Sequence, residues 1–350
     1  MSIFWSPTKR FSLFLVLTFL LFSGVVAAPQ EGHETAAAEE HGGAFDPNTI
    51  LHHVMDNHVW HLWDHGGTIY LPVIVYSGER GVEMFSSRNF YDEHHNKVAY
   101  NGYVLDEHEH ITLNGNSVLD VSITKNVAML FITAALLIIV FTSAAKGYEK
   151  NRGKAPKGLQ SLLEPIIVFV RDEIVKPNIG KHYEKFMPYM LTLFFFILFG
   201  NLLGLLPGAG NLTGNIAVTL TLAVITFIIT NVKGNKGYWS HILWTPGVPW
   251  WMRGVILPVE IIGIFTKPFS LTVRLFVAIT AGHIVLLSLL SLAFIFKSVT
   301  VGFASTLMVL FISLIELLVA GIQAYVFTLF SSLYIGMASA EHAHDDHHKH

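Results

Sequence analysis

The chain has 350 residues, 52% of them hydrophobic and 13% charged, and it contains no cysteine. Soluble domains carry about 25% charged residues, so this composition excludes an ordinary soluble globule. Without cysteine, disulfides, thiolate metal sites, iron–sulfur clusters and cysteine nucleophiles are excluded too. The net charge of −3 conceals a partition along the chain. Residues 29–124 hold 15 acids against Arg80, Arg88 and Lys97, a net of −12, whereas residues 125–350 hold 17 bases against 10 acids, a net of +7. Such a split points to a polar part on one side of a membrane and a part embedded in it.

Residues 1–28 read as a secretory signal peptide. Lys9 and Arg10 precede an apolar run, Phe11 to Phe22, and small residues lead out to Ala28. The run is shorter than the ~20 residues of a spanning helix, and its exit suits a peptidase. Residues 29–125 follow as an acidic, His-rich extracytoplasmic segment. In it His58, His61 and His65 step by three and four, which places them on one helical face beside Asp64. They form a weak candidate metal site, weighed against a face that packs on the membrane through Trp60, Leu62 and Trp63. The runs Ile69 to Tyr76 and Asn101 to Val104 suggest a few strands.

The first span is Val127 to Ala145, and Lys146, Lys150, Arg152, Lys154 and Lys157 behind it place its end in the cytoplasm. Leu159 to Lys176 alternates apolar residues with Glu164, Arg171, Asp172 and Glu173, which predicts an interfacial helix. A second span, Met187 to Leu206, carries Pro188 and ends at Pro207-Gly208; a third runs from Asn215 to Asn231 before Lys233 and Lys236. From Pro258 to Ala338 the chain is apolar apart from Lys297 to Thr300. Each arm would make about 60 Å of helix, twice the ~30 Å hydrocarbon core, so the arms form a strongly tilted antiparallel hairpin. The fold expected is an all-α polytopic membrane protein with five membrane-crossing helices, one interfacial helix and a small extracytoplasmic segment with some β. Residues 126–340 are its membrane domain, and residues 341–350 a solvated cytoplasmic tail rich in His and Asp.

Ionisable residues inside the arms are few: Glu260, Lys267, Arg274, His283 and Glu316. A mid-membrane arginine costs about 2.5–3.5 kcal/mol on insertion scales, so Arg274 is expected to face a partner charge or a water path. Glu316 and Gln323 lie seven residues apart, on one helical face. In an antiparallel hairpin, residues at one depth share an index sum, which sets Arg274 level with Gln323 and His283 level with Glu316 about the same polar turn. Arg274 and His283, nine residues apart, serve different surfaces, the second pair lining an aqueous path.

Several blocks resemble the a subunit of the F-type ATP synthase, the stationary partner of the rotating c-ring. The most specific is Lys267-Pro268-Phe269-Ser270-Leu271-Thr272-Val273-Arg274-Leu275-Phe276 followed by Ala281-Gly282-His283. Gly200 to Pro207, Thr213 to Leu220, and Gln323 to Thr328 through Met337-Ala338 match as well. The resemblance implies a proton-translocating subunit that offers the c-ring two half-channels, with Arg274 as the essential arginine between them and Gln323 beside it. It makes Glu260 an acid of the proton path, and gives His283 and Glu316 the positions where many members carry Glu and His. Ala278 and Gly204 depart from a common pattern of Asn and Asp. The His/Glu pair favours protons over sodium as the carried ion. The resemblance further implies the c-ring, the peripheral-stalk b subunit and the lipid bilayer as partners, a bacterial inner membrane location, and no cofactor. No phosphate-binding glycine loop is present, so ATP chemistry falls to other subunits, and no nucleic-acid partner is implied.

Two other classes compete. A His-dependent membrane metal transporter or metalloenzyme needs several ligands at one intramembrane depth, where the spans supply little beyond His283 and Glu316. A membrane-tethered extracytoplasmic binding module leaves Arg274, Glu316 and Gln323 without a purpose.

Overall fold

The computed structural model describes residues 56–61, 68–78, 80–92, 97–106, 109–150, 156, 158–206, 209–243, 249–296 and 299–339. The signal peptide and the tail lie outside the described residues. The chain divides into two compact units, each built from several stretches of sequence.

The first unit takes the residues up to Thr133 together with Gly200–Ala217 and Ala278–Val319. It includes a β domain. Strands β1 (Val59–His61) and β2 (Thr68–Tyr70) pair antiparallel. Strand β3 (Pro72–Ser77) is flanked by β4 (Gly81–Ser86) and β8 (Leu119–Asp120), while β5 (Tyr103–Leu105), β6 (Ile111–Leu113) and β7 (Asn116–Ser117) make a separate sheet. Alternation along β3 sends Val73 and Val75 inward, where they join Phe90, Tyr103, Leu105, Ile111 and Leu113 in a closed core. Asn101-Gly102 and Asn114-Gly115 both take positive φ and reverse the chain, the backbone that this dipeptide adopts most readily. The expected strand at Asn101 to Val104 is therefore a turn followed by a strand.

The helical face expected to carry the histidine triplet is not formed. His61 lies in β1, so the spacing by three and four does not create a helical face. His65 falls outside the described residues. His58 is buried and committed to carboxylates: its Nε2 is 2.9 Å from Asp120 Oδ2, its Nδ1 is 3.7 Å from Glu109 Oε2, and Lys97 Nζ is 2.8 Å from Glu109 Oε1. Burial opposes a charge on this imidazole, but the hydrogen bond to Asp120 and the Glu109 carboxylate outweigh it and push the pKa up to about 9. Among the described residues no three His, Asp or Glu side chains are arranged to hold a metal ion.

The β domain runs into the first long helix, α1 (Lys125–Lys150), without a linker. Val121 and Ile123 still donate to the β3 carbonyls of Ile74 and Pro72, and Lys125 N–H donates to Asn57. Asp56 caps the helix from a distance in sequence, accepting from Asn126 N–H at 3.0 Å and from the Thr124 hydroxyl at 2.9 Å.

The second unit takes Ala134–Phe199, Val218–Val277 and the residues from Ala320 onward. Helix α2 (Leu159–Phe169), a π-helical turn at Val170–Val175, the short α3 (Lys176–Ile179), a tight turn at Gly180–His182 and α4 (Tyr183–Gly204) follow one another without a loop. The stretch expected to be a separate interfacial helix is thus continuous with the second span. Then come α5 (Ile216–Val232), α6 (Lys236–Leu243), α7 (Trp250–Phe296) and α8 (Val299–Ser339). Among the described residues, four stretches are long and apolar enough to cross a membrane: Lys125–Glu149, Leu159–Gly204, Trp251–Leu289 and Thr300–Ser339; α5 is a shorter apolar helix. Both arms are helical throughout, 47 and 41 residues long, and α7 begins eight residues before Pro258. Helix α7 absorbs Pro258 and Pro268 internally, and the Thr272 hydroxyl turns back to the Pro268 carbonyl.

Small residues set the packing of α8 in this unit. A Cβ at Gly336 would collide with the Asn178 carbonyl, so only glycine lets the two backbones approach. Asn178 Nδ2 donates to the Ser332 hydroxyl at 3.2 Å, one turn away.

Candidate functional site

Each unit holds one group of intramembrane charges. In the first, α7 supplies His283 and α8 supplies Glu316, with His283 Nδ1 3.7 Å from Glu316 Oε1. This is ion-pair range, too long for a hydrogen bond. Glu316 is 4% exposed, and among the described residues neither of its carboxyl oxygens has a hydrogen-bond partner. A buried carboxyl left in this state is costly, so the site calls for water or another polar group as its partner. The Thr280 hydroxyl of α7 is also buried without a partner. Gly282 makes room for the acid: a Cβ there would stand 3.2 Å from Glu316 Oε1 and 3.5 Å from its Cδ. The expected pairing of His283 with Glu316 is present, and sequence reasoning missed Gly282 as its cradle.

The same unit contains a polar group where α4 ends. Asn201, 2% exposed, accepts a 2.6 Å hydrogen bond from the Thr213 hydroxyl, and Asn211 Oδ1 accepts from Gly214 N–H at 3.1 Å. Asn211 Nδ2 is buried without an acceptor. Gly204 has this loop against it: a Cβ would meet Asn211 Oδ1 at 3.5 Å and the Gly210 carbonyl at 3.7 Å.

In the second unit the central charge is Arg274 on α7. Its guanidinium carbon lies 4.3 Å from the centroid of the Phe330 ring on α8, close cation–π range. Its Nη1 is buried with no acceptor among the described residues. Two turns earlier on α7, Lys267 Nζ lies 5.5 Å from the Tyr334 ring. Two cations seven residues apart on one helix therefore meet two rings four residues apart on the other, and those rings stand 6.1 Å from each other.

The guanidinium meets Phe330 of α8 rather than Gln323. Among the described residues no hydrogen bond joins Arg274 to Gln323, and the ring that receives the guanidinium lies seven residues further along α8. A constant index sum assumes parallel axes, whereas real helices cross at an angle and the register drifts along them. Phe330 and Tyr334 form an aromatic pair at i, i+4, but the arm also holds Phe303, Phe311, Tyr325 and Phe327, so the pair did not stand out in the sequence. Glu260, also on α7, acts electrostatically on Lys267 and on Tyr238 of α6. Burial, and then Glu260, raise the Tyr238 hydroxyl above the usual tyrosine range. Tyr238, Asn231, Thr230, Lys267 and Tyr334 line a cleft in this unit, with the Tyr238 hydroxyl 3.3 Å from Asn231 Oδ1.

The pattern is that of a protein holding unspent polar groups inside a membrane: a cation without an anion, and a carboxyl without a donor. Such groups mark ion paths or partner contacts rather than anchors.

Comparison with known proteins agrees. The family described as ATP synthase A chain matches residues 127–336, and a domain of unknown function matches residues 49–129. ATP synthase subunit a 2 of Chlorobaculum tepidum is 40% identical over 92% of this chain and 82% of its own length. ATP synthase subunit a of Chloroherpeton thalassium is 38% identical over 97% and 94%, and that of an Anaeromyxobacter species 38% over 92% and 85%. The chain belongs to the ATP synthase subunit a family.

Proposed function

We propose that this subunit conducts protons through two half-channels to a c-ring, with Arg274 as the fixed charge between them. The family is a non-catalytic part of the membrane sector, with ATP chemistry on other subunits. The observation that carries the reading is the Arg274 Nη1, buried and without an acceptor among the described residues. A guanidinium stays protonated in any protein setting, so this site presents a permanent cation with an unused donor. A ring carboxylate arriving there has its ionised form favoured and releases its proton; away from the cation, burial favours the protonated form. Direct passage from one half-channel to the other is then blocked, and the proton crosses only by riding the ring. Each charge moved through the membrane potential is worth about 2.3 kcal/mol per 100 mV.

His283 and Glu316 are the relay of one half-channel, because an imidazole beside a carboxyl can take up a proton and hand it on. Glu260 serves the other half-channel, and Gln323 stands on the ring-facing side of α8. The chain crosses the bacterial inner membrane five times, α5 included, with the α7–α8 hairpin strongly tilted. Residues 1–28 act as a cleaved signal, which leaves the mature N-terminus outside and the tail inside. Residues 126–340 are the channel domain, and the peripheral-stalk b subunit holds it stationary. The positive charge crowded behind α1 supports this orientation.

Arg274→Ala tests the reading. The complex assembles at normal abundance, and proton-driven ATP synthesis in membrane vesicles is abolished. Synthesis retained by the assembled variant overturns the assignment.

A further inference from the structure

The β4–β3–β8 sheet departs from the usual half-solvated antiparallel sheet, in which apolar residues face the core and polar ones face water: it is apolar on both faces. The register sets Val75 opposite Glu83 and Val73 opposite Phe85, so these four share the core-side face. The acid of β4 thus points inward, where Glu83 accepts a 2.5 Å hydrogen bond from the buried Tyr103 hydroxyl. The opposite face is made by Ile74 and Tyr76 of β3, Val82 and Met84 of β4, and Leu119 and Val121 at β8. Met84 is 71% exposed, Val82 69%, Leu119 51% and Tyr76 49%, and none of the six carries a charge. A contiguous apolar face of this kind marks a contact with a membrane or another protein.

The attachment of the sheet decides between the two. Val121 is four residues from the first residue of α1, and the intervening backbone stays bonded to β3 through Val121 and Ile123. Four residues span at most about 14 Å even when extended. Asp56 and Asn57 clamp the same junction. The face is therefore held beside the first turns of a helix that is long and apolar enough to cross a membrane, and whose exposed side chains include Phe131 and Ile132.

We propose that the Tyr76/Val82/Met84/Leu119 face of the outer domain lies on the bilayer at the N-terminal end of α1, so that the domain is a membrane-seated collar. Lipid replaces the water that this face would otherwise order, and Tyr76 has the ring-and-hydroxyl chemistry of interfacial aromatics. On the orientation proposed above this is the outer leaflet, but the contact does not depend on which side is outer.

The absence of cysteine gives a direct test. Val82→Cys, Met84→Cys, Leu119→Cys and the control Asn116→Cys, an exposed position in the other sheet, are each labelled with a nitroxide in the assembled complex. The complex is reconstituted in phosphatidylethanolamine/phosphatidylglycerol vesicles. Relaxation by molecular oxygen, which partitions into lipid, is compared with relaxation by a neutral water-soluble nickel chelate. Positions 82, 84 and 119 are expected to show oxygen access severalfold above nickel access, with the order reversed at 116. Nickel access dominating at the three positions overturns the proposal, because the face is then in water. Low access to both agents overturns it equally, because a protein partner then covers the face. Hydrogen exchange of β3 unchanged from the parent certifies that each labelled variant is folded. Failure here leaves the Arg274 reading intact, since that rests on ATP synthesis and not on the position of the outer domain.

Discussion

The Arg274 guanidinium lies over the Phe330 ring, 4.3 Å from its centroid, while one of its terminal nitrogens is left without an acceptor. The ring holds the cation without neutralising it: a π face attracts the charge yet accepts no proton and offers no competing carboxylate. Phe330→Leu keeps the volume and removes the π face. Cation–π contacts are worth about 0.5–2 kcal/mol, so ATP synthesis per assembled complex is expected to fall by roughly two- to thirtyfold. Phe330→Tyr is expected to retain most activity. Equal activity of the leucine and tyrosine variants in vesicle assays counts against the ring's role.

Gly282 is expected to tolerate no side chain in the working protein. A methyl group there crowds Glu316 Oε1 at 3.2 Å and pushes the carboxyl off its position beside His283. Gly282→Ala should leave subunit abundance near normal and slow passive proton flux through the membrane sector several-fold, an overpacking penalty of about 1–3 kcal/mol at the relay. Flux is read by pH-sensitive dye quenching after removal of the catalytic sector.

Glu316→Leu is expected to slow proton flux more than it lowers abundance. The carboxyl has no hydrogen-bond partner among the described residues, so its removal costs little folding energy and most of the loss is functional. Abundance falling in parallel with flux would make Glu316 a structural residue instead.

The membrane part was legible in the sequence because a bilayer imposes strong rules: apolar length gives the spans, and charges inside them are too costly to be accidental. Arg274, His283 and Glu316 stood out on that basis, and the last two do meet. Phe330 stayed hidden because one more aromatic in an apolar helix leaves no mark on composition. The histidines misled for a related reason. Spacing by three and four is a helical signal only where a helix exists, and Val59–His61 pairs in a ladder with Thr68–Tyr70. The partners of His58, Glu109 and Asp120, lie about fifty and sixty residues downstream, beyond the reach of any local pattern.

His58 makes the outer domain sensitive to alkali. Its pKa is about 9 in the folded protein against an ordinary 6.5, so the protonated form favours folding. The stabilisation is fully present below about pH 6.5 and is lost as pH rises through 9. The shift amounts to about 3 kcal/mol for this buried group. Hydrogen exchange in β3 and β8 of the intact subunit should accelerate between pH 7 and 9.5, and His58→Gln should flatten that dependence. A pH profile identical in the variant would remove His58 as the cause.

Gly336→Ala is expected to fail at assembly. The added methyl group meets the backbone carbonyl of Asn178, which cannot rotate away as a side chain could. Overpacking of this kind costs about 1–3 kcal/mol or more, and the measurement is subunit abundance and detergent melting temperature against Gly336→Ser as the larger insult.

The unbroken passage from β8 into α1 has a mechanical consequence. With the last strand residues still bonded to β3 and the first helical turn clamped by Asp56 and Asn57, the joint has no hinge. The outer domain must swing with the top of the first span as one lever. A dye placed at the Asn114-Gly115 turn would magnify any rocking of that helix into an angular signal.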